Sequence, residues 1–486
     1  MRIGSGLVPF AAAFVATAAL ATARDTLFTR NVDPSASISR STARRPNIVF
    51  IRTDDQAAAD MDVRRPDGAF VMQHVIDLIA EQGVTFSNSF VSYSLCSPSR
   101  ATFLTGRYAH NHHVLGDNGA NGGYGALDHT NTLPVWETSN GYYTCHIGKY
   151  MNIEAIDAEP PGWSEWYTAD HSLYFDYDLN ENGVVVHYGH DPRDYVTDVE
   201  TEKAVSFIND RRYGNRPFFL VVDYTAPHGT QPPVVPTGTA PIPAPWYQGM
   251  FDHYVPRWPP NFDERNVSDK PPTIQRLPLF TRSVIGSLTA NVRTVAETLL
   301  SVDDGVGRIV GALEAAGELD DTVIMFTSDN GMERGDHRIV NGKNHMYEES
   351  IRVPLFVRGP GIQRGVSVQS VVANIDYAPT IVDLTGATAG LEMDGTSLVA
   401  LLTGSAAFRR EGILLESYVG ADQQPVGLRT DDFAYGEYPD GFVELYVLSS
   451  DPYELQNQAY NPLYANTIGP LHVRLQALRH VQPGGR

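Results

Sequence analysis

The chain has 486 residues, 42% hydrophobic and 19% charged, enough apolar mass for a large core in one big α/β unit or on the order of two to four domains. Its net charge of −21 excludes nucleic acid as a partner, because phosphate binding needs a basic face. The same acidity obliges any site for an anionic substrate to supply its own local cations.

Residues 1–23 combine a short basic start, an apolar run from Leu7 to Leu20 and the tripeptide Ala21-Thr22-Ala23. That is the pattern of a cleaved signal peptide, so secretion to the extracellular space is expected. The run is short and Ala-rich for a spanning helix, and no membrane partner is expected. Residues 24–46, rich in Ser, Thr and Arg without periodicity, read as a flexible leader. In an exported chain the two cysteines, Cys96 and Cys145, would by default pair.

The first predicted strand is NIVFIRT, an apolar run of the kind buried in parallel sheets, and it ends in Asp54-Asp55. VMQHVIDLIAEQG has helical spacing and stops at Gly83, and VTFSNSFVS reads as a strand. YYTCHIG is a short strand ending near Lys149, and PFFLVVDYTAPH a strong one ending near His228. A helix predicted over about 292–316 precedes DTVIMFTSDNG, a strand that ends in Asp329-Asn330. VPLFVRGPG and the helix DYAPTIVDLTG complete the series. This alternation predicts a large, largely parallel α/β sheet with helices on both faces. Ligands in such folds gather at the carboxyl ends of the strands.

Two regions stand apart. Pro227 to Pro272 holds twelve of the 32 prolines and is predicted to be loop and polyproline. Beyond about Gly390 the pattern shifts to short alternating strands and a final helix, PLHVRLQALRH, which predicts a smaller α+β domain.

Chemistry concentrates around CSPSRATFLTGR. Ser97 is a natural N-cap and Pro98 a natural first helical residue, so Cys96 is expected just before a helix N-terminus, where an anion is favoured. Arg100 adds a planar donor fork suited to an oxyanion. Asp54, Asp55, Asp329 and Asn330 offer oxygens at two strand ends, a set suited to a hard cation such as calcium. Asp303-Asp304 falls mid-helix and reads as structural. His110, His112 and His113 have no Cys or Glu at zinc-ligand spacing and read as a pocket-wall loop.

CSPSRATFLTGR resembles the sulfatase signature, and GYYTCHIGKY resembles the second signature of that family, around Lys149. VPLFVRGPG, ANIDYAPTIVDLTG and ELYVLSSDPYELQN also read like sulfatase segments, so the likeness runs from Asn47 to about Ala459. YAHNHHV, GKYMN and LLSVDD are similar to the N-acetylglucosamine-6-sulfatase subgroup. The resemblance implies an alkaline-phosphatase-like fold, with a catalytic domain over 47–389 and the smaller domain over 390–486. It implies that a formylglycine-generating enzyme oxidises Cys96 to formylglycine (3-oxoalanine), whose hydrated form is a geminal diol. One hydroxyl would attack sulfur and the second would later expel sulfate. Cys145 is then a buried inert thiol rather than a disulfide partner.

The resemblance further implies a calcium ion, with magnesium as the alternative, on Asp54, Asp55, Asp329, Asn330 and residue 96. Arg100, Lys149 and Lys343 would neutralise the sulfate, and His228 with Lys343 would protonate the leaving oxygen. Sulfate monoesters, either aryl sulfates or sugars such as glucosamine 6-sulfate, are the implied substrates. A phosphonate or phosphodiester hydrolase of the same superfamily and a non-catalytic sulfated-glycan-binding relative are the alternatives. Two positions depart from the wider pattern: Met151 and Glu333 stand where many relatives carry histidine, with His337 further on, which leaves the base for sulfate elimination unassigned.

Overall fold

The computed structural model describes residues 45–152, 156–169, 173–230, 240–406, 409–419, 422–423 and 425–480. The signal-peptide expectation for 1–23, and the leader up to residue 44, lie outside the described residues. Ten strands form the main sheet: β1 Asn47–Thr53, β2 Val84–Phe86, β3 Tyr143–Gly148, β4 Glu165–Ala169, β5 Tyr177–Glu181, β6 Val184–Tyr188, β7 Phe218–Asp223, β8 Thr322–Ser328, β9 Leu355–Arg358 and β10 Val366–Val368. Their order is β10-β2-β9-β8-β1-β7-β3-β4-β5-β6. The central run β8-β1-β7-β3-β4 is parallel throughout. Strand β9 is antiparallel to both of its neighbours, and β5-β6 is an antiparallel extension at the far edge.

Period-two alternation divides the core. Val49 and Ile51 of β1 join one apolar cluster with α2 (Val196–Asp210) and α3 (Arg282–Ala316). Ile48 and Phe50 point the other way, into a second cluster with α1 (Cys96–Thr105) and α4 (Tyr377–Thr385). Both faces of the sheet are therefore covered, which is why the central strands read as unbroken apolar runs. A second, four-stranded antiparallel sheet is built from β11 Ile413–Leu415, β12 Val426–Arg429, β13 Phe433–Glu437 and β14 Val443–Val447. Leu471 and Leu475 of α5 (Ala465–Arg479) pack in its core, together with Phe90, Ile351 and Ile375 from the larger unit.

Four local expectations differ in detail. Helix α1 begins at Cys96 with Leu95 as its cap residue, so Ser97 and Pro98 lie inside the first turn. Ser97 instead donates its backbone N–H to Asp117 Oδ1 at 2.8 Å. The helix expected over 71–83 is only Gln73–Val75 followed by a π turn, Ile76–Ala80, because buried Asp303 of α3 takes the N–H groups of His74 and Val75 and fixes the start. That is a structural role for Asp303, as expected. Helix α3 starts at Arg282, well before 292, its first turns only partly buried through Val284, Ile285 and Leu288; Thr281 caps it by accepting from Val284 N. VTFSNSFVS splits, with Ser89–Phe90 leaving the main sheet to pair with Val372–Ala373.

Candidate active site

Parallel register brings the chemistry to one edge. Thr53 of β1 lies opposite Ser328 of β8, Arg52 opposite Asp223 of β7, and Gly148 of β3 opposite the same Asp223. The residues that follow these strands, Asp54-Asp55, Asp329-Asn330 and Lys149, therefore emerge at one level. Helix α1 lies against this edge, every one of its ten residues buried, and delivers Cys96 from its first turn. The left-handed Gly106 (φ 66°) ends the helix, with its N–H on the Thr102 carbonyl.

Cys96 Sγ is the centre of the cluster. Lys343 Nζ lies 2.9 Å from it, Lys149 Nζ 3.5 Å, and Asp54 Oδ1 3.5 Å. Lys149 also donates to Asp54 Oδ2, and Lys343 donates to Asp55 Oδ1 at 2.6 Å. Arg100, fully buried, donates from Nε to Asp329 Oδ2 at 2.9 Å and from Nη1 to the Lys149 carbonyl. Its Nη2 is within ion-pair range of Asp329 (2.8 Å) but makes no aligned hydrogen bond, which leaves a buried donor open to another acceptor. His228 donates from Nδ1 to the Gly229 carbonyl (2.6 Å), so Nε2 is the face turned to Asp55 Oδ2, 3.6 Å away.

The electrostatics follow from burial with matched charge. Burial alone would raise Asp54, but Lys149, His228 and Arg100 outweigh it and hold the carboxyl well below its ordinary range. Asp55 is likewise lowered against burial, by Lys343 and His228. Burial would lower Lys149 and Lys343, yet Asp54 and Asp55 respectively keep both pushed up and cationic. His228 is lowered by burial and is neutral near pH 7. Burial, then the charge of Asp54, pushes the Cys96 thiol well up, so as a plain cysteine it carries a proton.

Asp54, Asp55 and Asp329 place carboxylate oxygens within 4.8 Å of one another. Asn330 adds a buried Oδ1 with no hydrogen-bond partner, while its Nδ2 donates to Asp55 at 2.6 Å. Three clustered carboxylates and an orphaned amide oxygen fit a hard, oxygen-seeking dication. All nine residues singled out from the sequence meet here: Asp54, Asp55, Cys96, Arg100, Lys149, His228, Asp329, Asn330 and Lys343.

Other candidates do not join. Cys145 is buried in β3, and both cysteines are free thiols. His110 pairs with Glu416 at 2.9 Å, and His112 is tied to Thr102 Oγ1 and Val114 N, so both are spent on internal partners, while His113 is exposed. Met151 packs in the core. Glu333, fully buried, lies 3.0 Å from His345 Nδ1, and His337 turns away to Glu264 at 2.7 Å.

Sequence reasoning passed over Asp223. It takes a bidentate contact from Arg52 (2.9 and 2.6 Å), meets His146 Nε2 at 3.2 Å and lies 3.7 Å from Arg100, so it fixes the arginine from behind. Its signal was available: an acid closing the apolar strand FFLVVD, at the level of Arg52 just before Asp54. Ser99 Oγ, which donates to the Asp329 carbonyl at 2.5 Å and accepts from Asn374 Nδ2, was also passed over.

The sulfatase family model matches residues 46–387, and the model described as N-sulphoglucosamine sulphohydrolase, C-terminal, matches residues 335–481. The chain is 33% identical to an N-acetylglucosamine-6-sulfatase of Capra hircus over 90% of its length and 84% of the relative. A solved structure described as a complex with its substrate D-glucosamine-2-N,6-O-disulfate is 25% identical, with a TM-score of 0.74 over 90% of this chain and 99% of that one. A phosphonate monoester hydrolase of Agrobacterium radiobacter, 23% identical over 90% of this chain and 95% of that one, shares the fold with a TM-score of 0.70.

Proposed function

The chain belongs to the sulfatase family of hydrolases, and from that premise we propose that it is a secreted enzyme cleaving sulfate monoesters of sugars, 6-O-sulfated glucosamine ends foremost, at the strand-edge cluster around residue 96. The observation that carries this reading is the convergence of Lys149 and Lys343 on one buried cysteine, with Arg100 beside its neighbour Asp54, in a chain of net charge −21. Local cations there are what an anionic sulfate ester needs and what a chain of net negative charge must supply at the site.

In this structure Cys96 Sγ stands where an oxygen would be after maturation. Formylglycine at this position, made by a formylglycine-generating enzyme, would supply paired hydroxyls, one to attack sulfur and one to allow release. Asp54, Asp55, Asp329 and Asn330 would hold calcium, or magnesium, which would draw negative charge from the sulfate oxygens. The remaining work falls to side chains already in position. Asp54 Oδ1, 3.5 Å from the sulfur position, can accept a proton from a hydroxyl there. Arg100 Nη2 and the two ammonium groups can bind non-bridging sulfate oxygens. Lys343, held cationic, can protonate the leaving alcohol, while neutral His228 presents the Nε2 lone pair beside it as a hydrogen-bond acceptor. A cavity of about 410 Å³ adjoins the segment after Lys343, lined by Asn344, His345 and Tyr438 among others, and is the proposed seat of the alcohol part. Residues 47–389 would form the catalytic domain and 390–486 the smaller one.

Mass spectrometry of the tryptic peptide ending at Arg100, from chain co-expressed with the maturation enzyme, should show sulfur lost from residue 96 and an aldehyde reactive with hydrazide. That material should hydrolyse glucosamine 6-sulfate, whereas Cys96→Ala should not turn over and Cys145→Ala should. A Cys96 that stays a thiol in fully active enzyme would overturn the mechanism. Faster turnover of a phosphodiester than of a sulfate with the same aryl leaving group would favour the phosphonate-hydrolase reading.

A further inference from the structure

A second cluster of metal-ligand side chains lies on the other side of the turn that carries Lys343. One ring nitrogen of His337 and one carboxylate oxygen each of Glu349 and Glu454 lie within 4.8 Å of one another. We propose that His337, Glu349 and Glu454, with Asn261 as fourth ligand, bind a divalent cation of the zinc type that locks this segment in place.

Orientation supports the assignment. His337 is fully buried, and its Nδ1–H is held by Glu264 Oε2 at 2.7 Å, which leaves Nε2 as the lone-pair nitrogen. Nε2 is the side that faces Asn261 Nδ2 (3.3 Å), and the same Nδ2 donates to Glu349 Oε1 at 3.1 Å. A carboxylate behind a histidine is the usual way a metal-binding ring is fixed in tautomer and direction.

Unmet polar groups give the independent observation. Asn261 is 0% exposed, yet its Oδ1 has no hydrogen-bond partner. Glu349 Oε2 is also buried and unpartnered. Rotating the Asn261 amide by half a turn puts its oxygen toward His337 and Glu349, which converts an orphaned acceptor into a ligand. The basic side chains nearby are committed elsewhere: Lys270 to Asp269 (3.2 Å) and Glu264 (3.6 Å), Arg429 to Glu348 (2.6 Å), and Arg334 to Asp60 (2.9 Å). Among the described residues no lysine or arginine lies within ion-pair distance of Glu349 or Glu454. Glu454 Oε2 accepts from Glu348 N at 3.0 Å, but two close, buried carboxylates without a cation are costly, and a bound dication removes that cost.

The donor set selects the metal. One imidazole nitrogen with carboxylate and amide oxygens suits zinc, whereas the oxygen-only set at the strand edge suits calcium. Four protein ligands with no open position make a structural site rather than a catalytic one. Its reach is short. Ser350, next to Glu349, accepts from Gly331 N, and any side chain at Gly331 would meet the Glu349 carbonyl at 2.0 Å from its Cβ. The same turn thus abuts Asn330.

Full-length chain stripped with chelator and resupplied with saturating calcium is titrated with zinc alone, by calorimetry and by metal analysis after dialysis. One tightly retained zinc per chain and a rise in melting temperature are expected. His337→Gln and Glu349→Gln should weaken zinc at least about tenfold, whereas Asp54→Asn should retain it. Cobalt in place of zinc should give visible absorption bands that these two substitutions alter. If the variants fail to fold, the wild-type titration decides. No zinc retained over calcium, equal retention in the variants, or zinc lost only in Asp54→Asn would overturn the proposal.

Discussion

Asp54, Asp55 and Asp223 at the carboxyl edge of the sheet are buried and held below the ordinary carboxylate range. Glu137, Glu200 and Glu454 are as deeply buried and are pushed above it. Burial acts the same way in both sets, raising every carboxyl. The difference is the cations: Lys149, Lys343, Arg52 and Arg100 face the first set, while no lysine or arginine is within ion-pair distance of the second among the described residues. Charge in a protein interior is therefore a local decision, and the strand edge is where this acidic chain has gathered cations to match its buried acids.

The contrast breaks most severely when one acid of the matched set is removed and its cations stay. Asp54→Asn strands Lys149, takes one of three acids from Arg100 and removes a charged oxygen from the candidate cation site. Turnover of glucosamine 6-sulfate by the folded fraction should fall about a thousandfold or more, with bound calcium reduced in elemental analysis. Near-normal turnover would remove the strand-edge cluster from the mechanism.

Asp223→Asn tests the same set without touching the proposed ligands. It strands Arg52 and loosens Arg100, so the variant should be about 3–5 kcal/mol less stable near neutral pH, read from melting or denaturant midpoints. Burial raises Asp223, but Arg52 outweighs it and the carboxyl sits at about 2. A lowered carboxyl contributes stability above its unfolded value of 3.8, and that contribution is lost as pH falls toward 2. The gap between wild type and variant should accordingly narrow by about 2 kcal/mol across that window. A gap that stays constant to pH 2 would show that Asp223 does not act through its charge.

Much of this was legible in the chain, for a physical reason. Strands β1, β7 and β8 are buried on both faces, so they print as apolar runs, and the polar residues just after them stand out. Parallel pairing then makes sequence position equal to height, which is how Asp54, Lys149 and Asp329 could be grouped before any coordinates. The alternation gave the α/β sheet, but β9 written as VPLFVRGPG does not reveal that it runs antiparallel to β8. Direction is set by where the chain returns, which local pattern does not encode. The π turn after Val75 was hidden because its cause, Asp303, lies 228 residues away. Asp223 was passed over because a single acid closing a strand looks like any solvated turn until Arg52 and His146 are placed around it. Glu349 and Glu454 likewise become a cluster only through tertiary contact.

The smallest effect sharpens the comparison from the unmatched side, at Glu137 in the helix Leu133–Ser139. Glu137 is fully buried; Oε1 accepts from Thr385 Oγ1 at 2.8 Å, and Oε2 has no partner. Burial pushes the carboxyl up to about 7, against weaker lowering by the Thr385 hydrogen bond and Arg45. The folded chain then holds a proton that the unfolded chain releases above about 4.5. Stability linked to this group is fully present below 4.5 and is lost as pH rises through about 7, a total of about 3 kcal/mol at most. Glutamine has the shape of the protonated acid and does not titrate, so Glu137→Gln should match wild type near pH 4.5 and exceed it above pH 7. Denaturant midpoints measured for both chains between pH 4.5 and 8 should diverge steadily with pH. Two parallel curves would mean that Glu137 is not neutral in the folded state, and that burial without a cation is not what separates the two sets of acids.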